Sequence, residues 1–334
     1  MKLKVGVIFG GMSTEHDISI QSGIWVIENL SKEQYEIFPV YIDTEGIWYS
    51  YVDQEHKIEI QNVFTYLKNI DVVFPILHGK YGEDGAIQGM LDLLKVPYVG
   101  CGILASAISM DKVYTKIVME KAKIKQAKYV FIKKEHQHYI FIDEKWNETK
   151  SNLNNICKMI QEKLTFPMFI KPSNSGSSIG IHKAKSEEEL KKYIEDASCF
   201  DDKIIIEENI IGKEVECAIL GNEASCVGEI ISNDEFYSYD AKYKNHSKIV
   251  IPATISKDLS EKIKKTAIKA FKAVSGRGLA RIDFFVNEKD IYMNEINTLP
   301  GFTNISMYAK LWQAEGISFA ELLDKLIQLS YRRQ

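Results

Sequence analysis

Short apolar runs alternate with helical patterns over the first hundred residues: Val5 to Phe9, Ser19 to Leu30, Ile37 to Ile42, Asp71 to Leu77, Ala86 to Leu94, and Tyr98-Val99. That rhythm predicts a parallel sheet with flanking helices. A helix with Asp111 near its start follows, then Tyr129-Val130-Phe131-Ile132. After these comes a charged, aromatic stretch from Lys133 to Lys150 with no periodic apolar pattern. We read it as an exposed hairpin or loop. From Phe166 the order becomes strand, glycine-rich turn, strand, helix, strand, over Phe166 to Lys171, Ser173 to Gly180, Ser186 to Ala197 and Lys203 to Glu207. This predicts an α+β unit. The last third holds strands at Val215 to Leu220, Ala224 to Ile231, Ala280 to Val286 and Ile291 to Ile296, with helices near Leu259 to Val274 and Phe319 to Tyr331. No internal repeat and no low-complexity linker interrupts the pattern.

At 334 residues the chain exceeds one ordinary core, so two or three domains are expected. Its 45% hydrophobic and 26% charged residues place it among soluble globular proteins. A net charge of −4 gives no electrostatic reason to expect nucleic acid or a membrane as partner. The lysines from Lys262 to Lys265 lie on an amphipathic helix and read as a solvated face. The opening apolar stretch is too short for a signal sequence, and no run approaches the ~18 apolar residues of a membrane helix. Cys101, Cys157, Cys199, Cys217 and Cys226 are scattered without CxxC spacing. Reduced thiols in the cytoplasm are therefore expected.

The most informative chemistry lies near the end. In Leu279 to Val286 a period of two puts Arg281 and Asp283 on one face and Ile282 and Phe284 on the other. The same rule puts Met293, Glu295 and Asn297 together on the next strand. With Asn287 to Asp290 as the turn, a register setting Asp283 opposite Glu295 also sets Arg281 opposite Asn297, with directly opposed Cβ atoms ~5 Å apart. Two carboxylates that close repel, and a cation stabilises them. Oxygen ligands suit Mg²⁺. The alternative is a surface hairpin whose Arg281 and Asp283 form a solvated ion pair. Beyond the strands, Thr298 to Met307 is a turn rich in backbone donors. There Gly301 lets its N–H approach a ligand, and Ser306 either caps the next helix or faces an anion.

Lys171 to Gly180 follows an apolar strand and combines a lysine, glycines and four serines, donors able to wrap phosphates. It is not a Walker A loop, since no GxxxxGK[ST] occurs in the chain. Gly100-Cys101-Gly102-Ile103-Leu104-Ala105 matches the dinucleotide pattern GxGxxA, with Glu120 at a plausible distance. It follows a very short strand and Pro97, however, so we read it as a turn joining domains.

Together these segments resemble the D-alanine–D-alanine ligases of the ATP-grasp superfamily. Five stretches carry the resemblance: Gly10 to Ser19, His78 to Gly85, Ser109 to Lys112, Lys171 to Gly180, and Arg281 to Asp283 with Asn294 to Ser306. The resemblance implies an ATP-grasp fold, α/β and α+β, with an N-terminal Rossmann-like domain over 1–100. A central lobe over 101–206 and a C-terminal lobe over 207–334 complete it. It implies that Lys112 and Lys171 contact nucleotide phosphates and that Glu207, Glu208, Asn209 and Ile210 contact adenine, with Glu214 reaching the ribose. It also implies that Asp283, Glu295 and Asn297 hold two Mg²⁺, replaceable by Mn²⁺. Glu15 and His78 would fix a first D-alanine, with Ser177 nearby. Arg281 and the Gly301 N–H would stabilise an oxyanion, and Ser306 with the Met307 N–H would bind the second D-alanine. Tyr239, Asp240, Lys242 and Tyr243 fall in a segment similar to the family's closing lid.

The activity so implied is ATP-dependent formation of D-alanyl-D-alanine through an acyl phosphate, for peptidoglycan precursor synthesis, by a cytoplasmic homodimer. The segment from Lys244 to Pro252 is short and similar to that of ligases accepting D-serine, while Asn304 to Tyr308 resembles the D-alanine form. D-Serine or D-lactate as second substrate is the alternative within the fold. A non-catalytic nucleotide-binding module is the alternative outside it.

Overall fold

The structure is a computed structural model that describes residues 2–176, 179–231, 248–288 and 290–331. Three sheets organise it. The first has five strands in the spatial order Lys57–Glu59, Trp48–Tyr51, Tyr35–Ile42, Leu3–Gly10, Val72–Ile76. The last three are mutually parallel, as the alternating pattern predicts, and the first two are antiparallel edge strands. The central strand is fully covered: Val5, Val7, Ile8 and Phe9 are all buried. Its neighbouring helix, His16–Asn29, lies so close that a Cβ on Gly23 would sit 2.5 Å from the Phe9 Cβ, so only glycine permits this packing.

The second sheet has six strands in the order His182–Ala184, Met168–Pro172, Lys203–Glu208, Tyr129–Glu135, His138–Ile142, Glu148–Ser151. Its last three strands form an antiparallel meander from the stretch expected to be an exposed hairpin or loop. Exposure is the part to correct, because Tyr139, Phe141 and Ile142 are buried. Tyr139 and Phe141 pack with the helix Leu153–Lys163, an element the apolar pattern does not announce. The helix Glu187–Ala197 covers the same core, capped by Ser186, whose hydroxyl accepts from the Glu189 N–H.

The third sheet is antiparallel throughout, in the order Lys248–Val250, Glu223–Ile231, Lys213–Leu220, Leu279–Val286, Ile291–Asn297. The helix Lys257–Ala273 packs one face, burying Ile263, Ala267, Ala270 and Phe271 against Ile282 and Phe284. The helices Met307–Ala314 and Phe319–Tyr331 join a different core. Phe319, Leu322, Leu323, Leu326 and Ile327 pack with Val7, Phe9, Phe74 and Ile76 of the first sheet. The Tyr35 hydroxyl donates to Asp324 across that contact. At the glycine turn of Gly100 and Gly102, the Cys101 thiol donates to the Arg277 carbonyl and to that of Leu279, the first residue of a strand in the third sheet. No helix among the described residues is long and apolar enough to cross a membrane.

Candidate active site

A cavity of about 750 Å³ is walled by residues from all three units. The loop after the strand Val72–Ile76 supplies His78 and Glu83. The start of the helix His16–Asn29 supplies Glu15. The helix Lys112–Lys121 contributes Lys112 and Lys116, the second sheet contributes Lys171 and Glu207, and the third sheet contributes Glu214, Glu216, Arg281, Glu295 and Asn297.

The register expected for the acidic strands is present: Asp283 pairs with Glu295 and Arg281 with Asn297. The strand alternation is not uniform, however. A bulge between Asp283 and Phe284 sets Phe284 opposite Met293 and leaves Asn294 unpaired in the register. Met293 therefore joins Ile296 in the core, a correction to the simple period of two, while Glu295 and Asn297 line the cavity. Asp283 is 2% exposed and lies beneath the wall. Its carboxylate accepts from Arg281 Nε and Nη2, each at 2.8 Å, and from Asn297 Nδ2 at 3.0 Å. Arg281 Nε also lies 2.9 Å from Glu216 Oε2. Burial opposes its charge, but Asp283 and Glu216 hold the guanidinium firmly ionised. The solvated ion pair is thus replaced by a buried one.

Asp283, Glu216 and Glu295 set three carboxylates against this one guanidinium. The surplus of negative charge, with the Glu295 carboxylate and the Asn297 side-chain oxygen on the wall, suits a hard divalent cation, while both Asp283 oxygens accept from Arg281 and Asn297. The same surplus shows at Glu83, which the sequence reading left unassigned. Burial, with the charges of Glu15 and Glu295 adding to it, pushes its carboxyl up to about 8, against N–H groups of Gly79 and Leu299 that work the other way. Gly79 N donates to Glu83 Oε2 at 2.7 Å.

Glu15 occupies the N-cap position of its helix, but its side chain makes no capping bond. The carboxylate instead lies between two glycines. A Cβ on Gly79 would come within 2.5 Å of Glu15 Oε2, and one on Gly176 within 2.8 Å. His78 is buried, with Nδ1 3.2 Å from the Leu299 carbonyl and Nε2 3.2 Å from Ser22 Oγ. Burial lowers its pKa, opposed by Glu15 and the Leu299 carbonyl. The neutral ring thus donates from Nδ1 and accepts at Nε2.

The lysine end is built around Asp111, the N-cap of the helix Lys112–Lys121, which accepts from the Val113 and Tyr114 N–H groups. The same carboxylate accepts from Ser173 Oγ at 2.7 Å and pairs with Lys203. The helix start is thereby fixed to the glycine and serine loop, and Lys112 Nζ donates to the Ser175 carbonyl of that loop. Glu207 accepts from two ammoniums, Lys116 at 2.6 Å and Lys171 at 2.5 Å. Glu208 differs: its carboxylate accepts from the Lys128 N–H at 2.8 Å.

Glu207, Glu208, Asn209, Ile210, Glu214, Gly301, Ser306 and Met307 all line the cavity. Ser306 stands at the N-cap position without capping. Its Oγ accepts from the Thr303 N–H at 2.9 Å and lies 2.9 Å from Thr303 Oγ1. Ser177, Tyr239, Asp240, Lys242 and Tyr243 lie outside the described residues. Lys116, Glu83 and Glu216 are cavity residues to which sequence reasoning gave no role. Glu83 lies within the stretch His78 to Gly85 that carries the resemblance, and Lys116 stands one helical turn from Lys112.

The family described as D-ala D-ala ligase N-terminus matches residues 4–101, and D-ala D-ala ligase C-terminus matches residues 118–328. A D-alanine–D-alanine ligase of Clostridium acetobutylicum is 45% identical over 352 aligned positions, covering 100% of this chain and 99% of that protein. Among solved structures, the VanG D-Ala:D-Ser ligase from Enterococcus faecalis has a TM-score of 0.86 at 35% identity, covering 99% of this chain and 100% of that one. The D-alanine–D-alanine ligase from Bacillus anthracis complexed with ATP has a TM-score of 0.78 at 29% identity, covering 99% and 98%.

Proposed function

The chain belongs to the D-alanine–D-alanine ligase family and has its ATP-grasp fold, and we propose that it joins two D-alanine molecules with ATP to make D-alanyl-D-alanine for peptidoglycan precursors. The observation that carries this reading is one cavity that brings Lys112 and Lys171 together with Glu15, Arg281 and Glu295. A triphosphate needs the cations, and an amino acid needs groups of both signs.

Lys112 and Lys171 hold the phosphates, and Glu207 to Ile210 with Glu214 hold the nucleoside. Glu15 accepts from the ammonium of the first D-alanine, steadied between Gly79 and Gly176, with His78 behind it. The carboxylate oxygen of that D-alanine attacks the γ-phosphorus and ADP leaves, giving an acyl phosphate. Asp283, Glu295 and Asn297 would hold two Mg²⁺, which neutralise phosphate charge and orient the transferring group. The amine of the second D-alanine, held by Ser306 and the Met307 N–H, then attacks the acyl carbon. Arg281 and the Gly301 N–H face the oxyanion, and phosphate departs as the amide forms. We read the units as 1–100, 101–206 and 207–334, and the working enzyme as a cytoplasmic homodimer.

Purified protein with D-alanine, ATP and Mg²⁺ is expected to release ADP, phosphate and the dipeptide in equal amounts. ATP consumption without dipeptide would reject the reading. The likeness to the VanG ligase favours a second one, with D-serine as acceptor. Competition among D-alanine, D-serine and D-lactate, with products separated by mass, decides between them.

A further inference from the structure

Lys116 has no role in the mechanism above, yet its side chain is 4% exposed and its ammonium reaches Glu207 on the cavity wall. Lys116 comes from the helix Lys112–Lys121, Lys171 from the strand Met168–Pro172 and Glu207 from the strand Lys203–Glu208. Lys116 takes Oε1 of Glu207 and Lys171 takes Oε2. Burial works against ionised Glu207, but the two ammoniums bring its carboxyl down to about 2. Burial likewise lowers the Lys116 ammonium, and Glu207 is the main opposing influence. Beyond Glu207, the Lys171 ammonium works against the Lys116 charge and the more distant Glu208 favours it, and the nearby neutral groups are the Ala127 carbonyl at 3.5 Å and the Tyr129 ring at 5.4 Å. A thioether of similar length would fill this space without the cost of a buried charge. Packing therefore does not account for the ammonium.

We propose that Lys116 is a positioning residue for the nucleotide: it keeps Glu207 neutralised from behind, so that Lys171 can exchange that carboxylate for a phosphate oxygen. The proposal rests on the ATP-binding reading. With Lys116 in place, Glu207 keeps a charged partner whichever anion Lys171 serves. Without it, each phosphate contact made by Lys171 leaves a buried carboxylate unpaired, and Lys171 stays on Glu207 instead.

Calorimetric titration of the full chain with ATP, for wild type, Lys116→Met, Glu207→Gln and the double variant, tests this. Lys116→Met is expected to weaken ATP binding by about 10-fold or more and to raise the KM for ATP more than it lowers kcat. Adding Glu207→Gln removes the stranded charge, so the double variant should match Glu207→Gln alone. Wild-type affinity in Lys116→Met overturns the proposal, as do losses that simply add in the double variant. If Lys116→Met does not fold, the comparison of Glu207→Gln with the double variant decides: equal affinities support the proposal and a further loss overturns it. A wild-type protein that binds no ATP overturns the ligase reading along with it, whereas wild-type binding with an unaltered Lys116→Met strikes this inference alone.

Discussion

Arg281 grips Asp283 two residues along its own strand, Nε on Oδ1 and Nη2 on Oδ2, both at 2.8 Å. Residues spaced by two share a strand face, so the fork is preset by the backbone. The cation facing the proposed oxyanion is thus aimed by a carboxylate that the same reading gives to the metal, and each limits the freedom of the other.

Replacing Arg281 by Lys keeps the charge and loses the fork. We expect kcat to fall on the order of 100-fold and thermal stability to drop, because Asp283 and Glu216 no longer share one planar partner. Steady-state kinetics beside a melting curve read both effects. Unchanged kcat would remove Arg281 from the transition state.

Glu295→Gln takes one charge from the acidic cluster while leaving its shape. Turnover should fall on the order of 100-fold, and the Mg²⁺ concentration for half-maximal activity should rise, with the melting temperature nearly unchanged. A Mg²⁺ titration of initial rates measures this, and activity equal to wild type would discard Glu295 as a ligand.

Gly176→Ala would put a methyl 2.8 Å from Glu15 Oε2, closer than the two atoms can sit. It should raise the KM for the first D-alanine by about 10-fold with ATP affinity little altered. Equal effects on both substrates would show a general disturbance of the loop.

Glu83 sets a pH dependence. Its carboxyl is pushed up to about 8 in the folded protein, well above the ordinary glutamate range, with burial the main cause. A carboxyl raised in the folded state favours folding fully below its unfolded pKa. That contribution is lost as pH rises toward and through 8. Melting temperatures from pH 5 to pH 9 should therefore fall more steeply for the wild type than for Glu83→Gln, whose amide oxygen still accepts from Gly79 N–H. Parallel profiles would contradict the assignment.

The pairing of Asp283 with Glu295 was legible because two short strands and a four-residue turn leave few registers. The bulge at Asn294 was not, since nothing in Tyr292 to Ile296 marks an extra residue. Tyr139 and Phe141 were hidden for a related reason: five residues among lysines and histidines are too few to establish a period, and their burial depends on the helix Leu153–Lys163. The roles of Glu15, Lys171 and Arg281 came from ordered stretches that resemble a family. The environments of Glu83 and Lys116 came from folding alone. The half-buried Glu83 accepts from the Leu299 N–H, and Lys116 meets Glu207, partners far along the chain. A lysine on an amphipathic helix reads as solvated until its carboxylate partner is known.

The helix Phe319–Tyr331 closes the core beneath the first sheet. Seen in the order of synthesis, that sheet is made first and covered last. While the ribosome works through the two later sheets, Phe74, Ile76 and Val7 keep an apolar face without its final neighbour. The first lobe therefore reaches its native packing only when residues 319–331 arrive. A chain stopped before Phe319 would carry nearly every residue of the proposed site and still lack Phe319, Leu322, Leu323, Leu326 and Ile327 of the core beneath its first sheet.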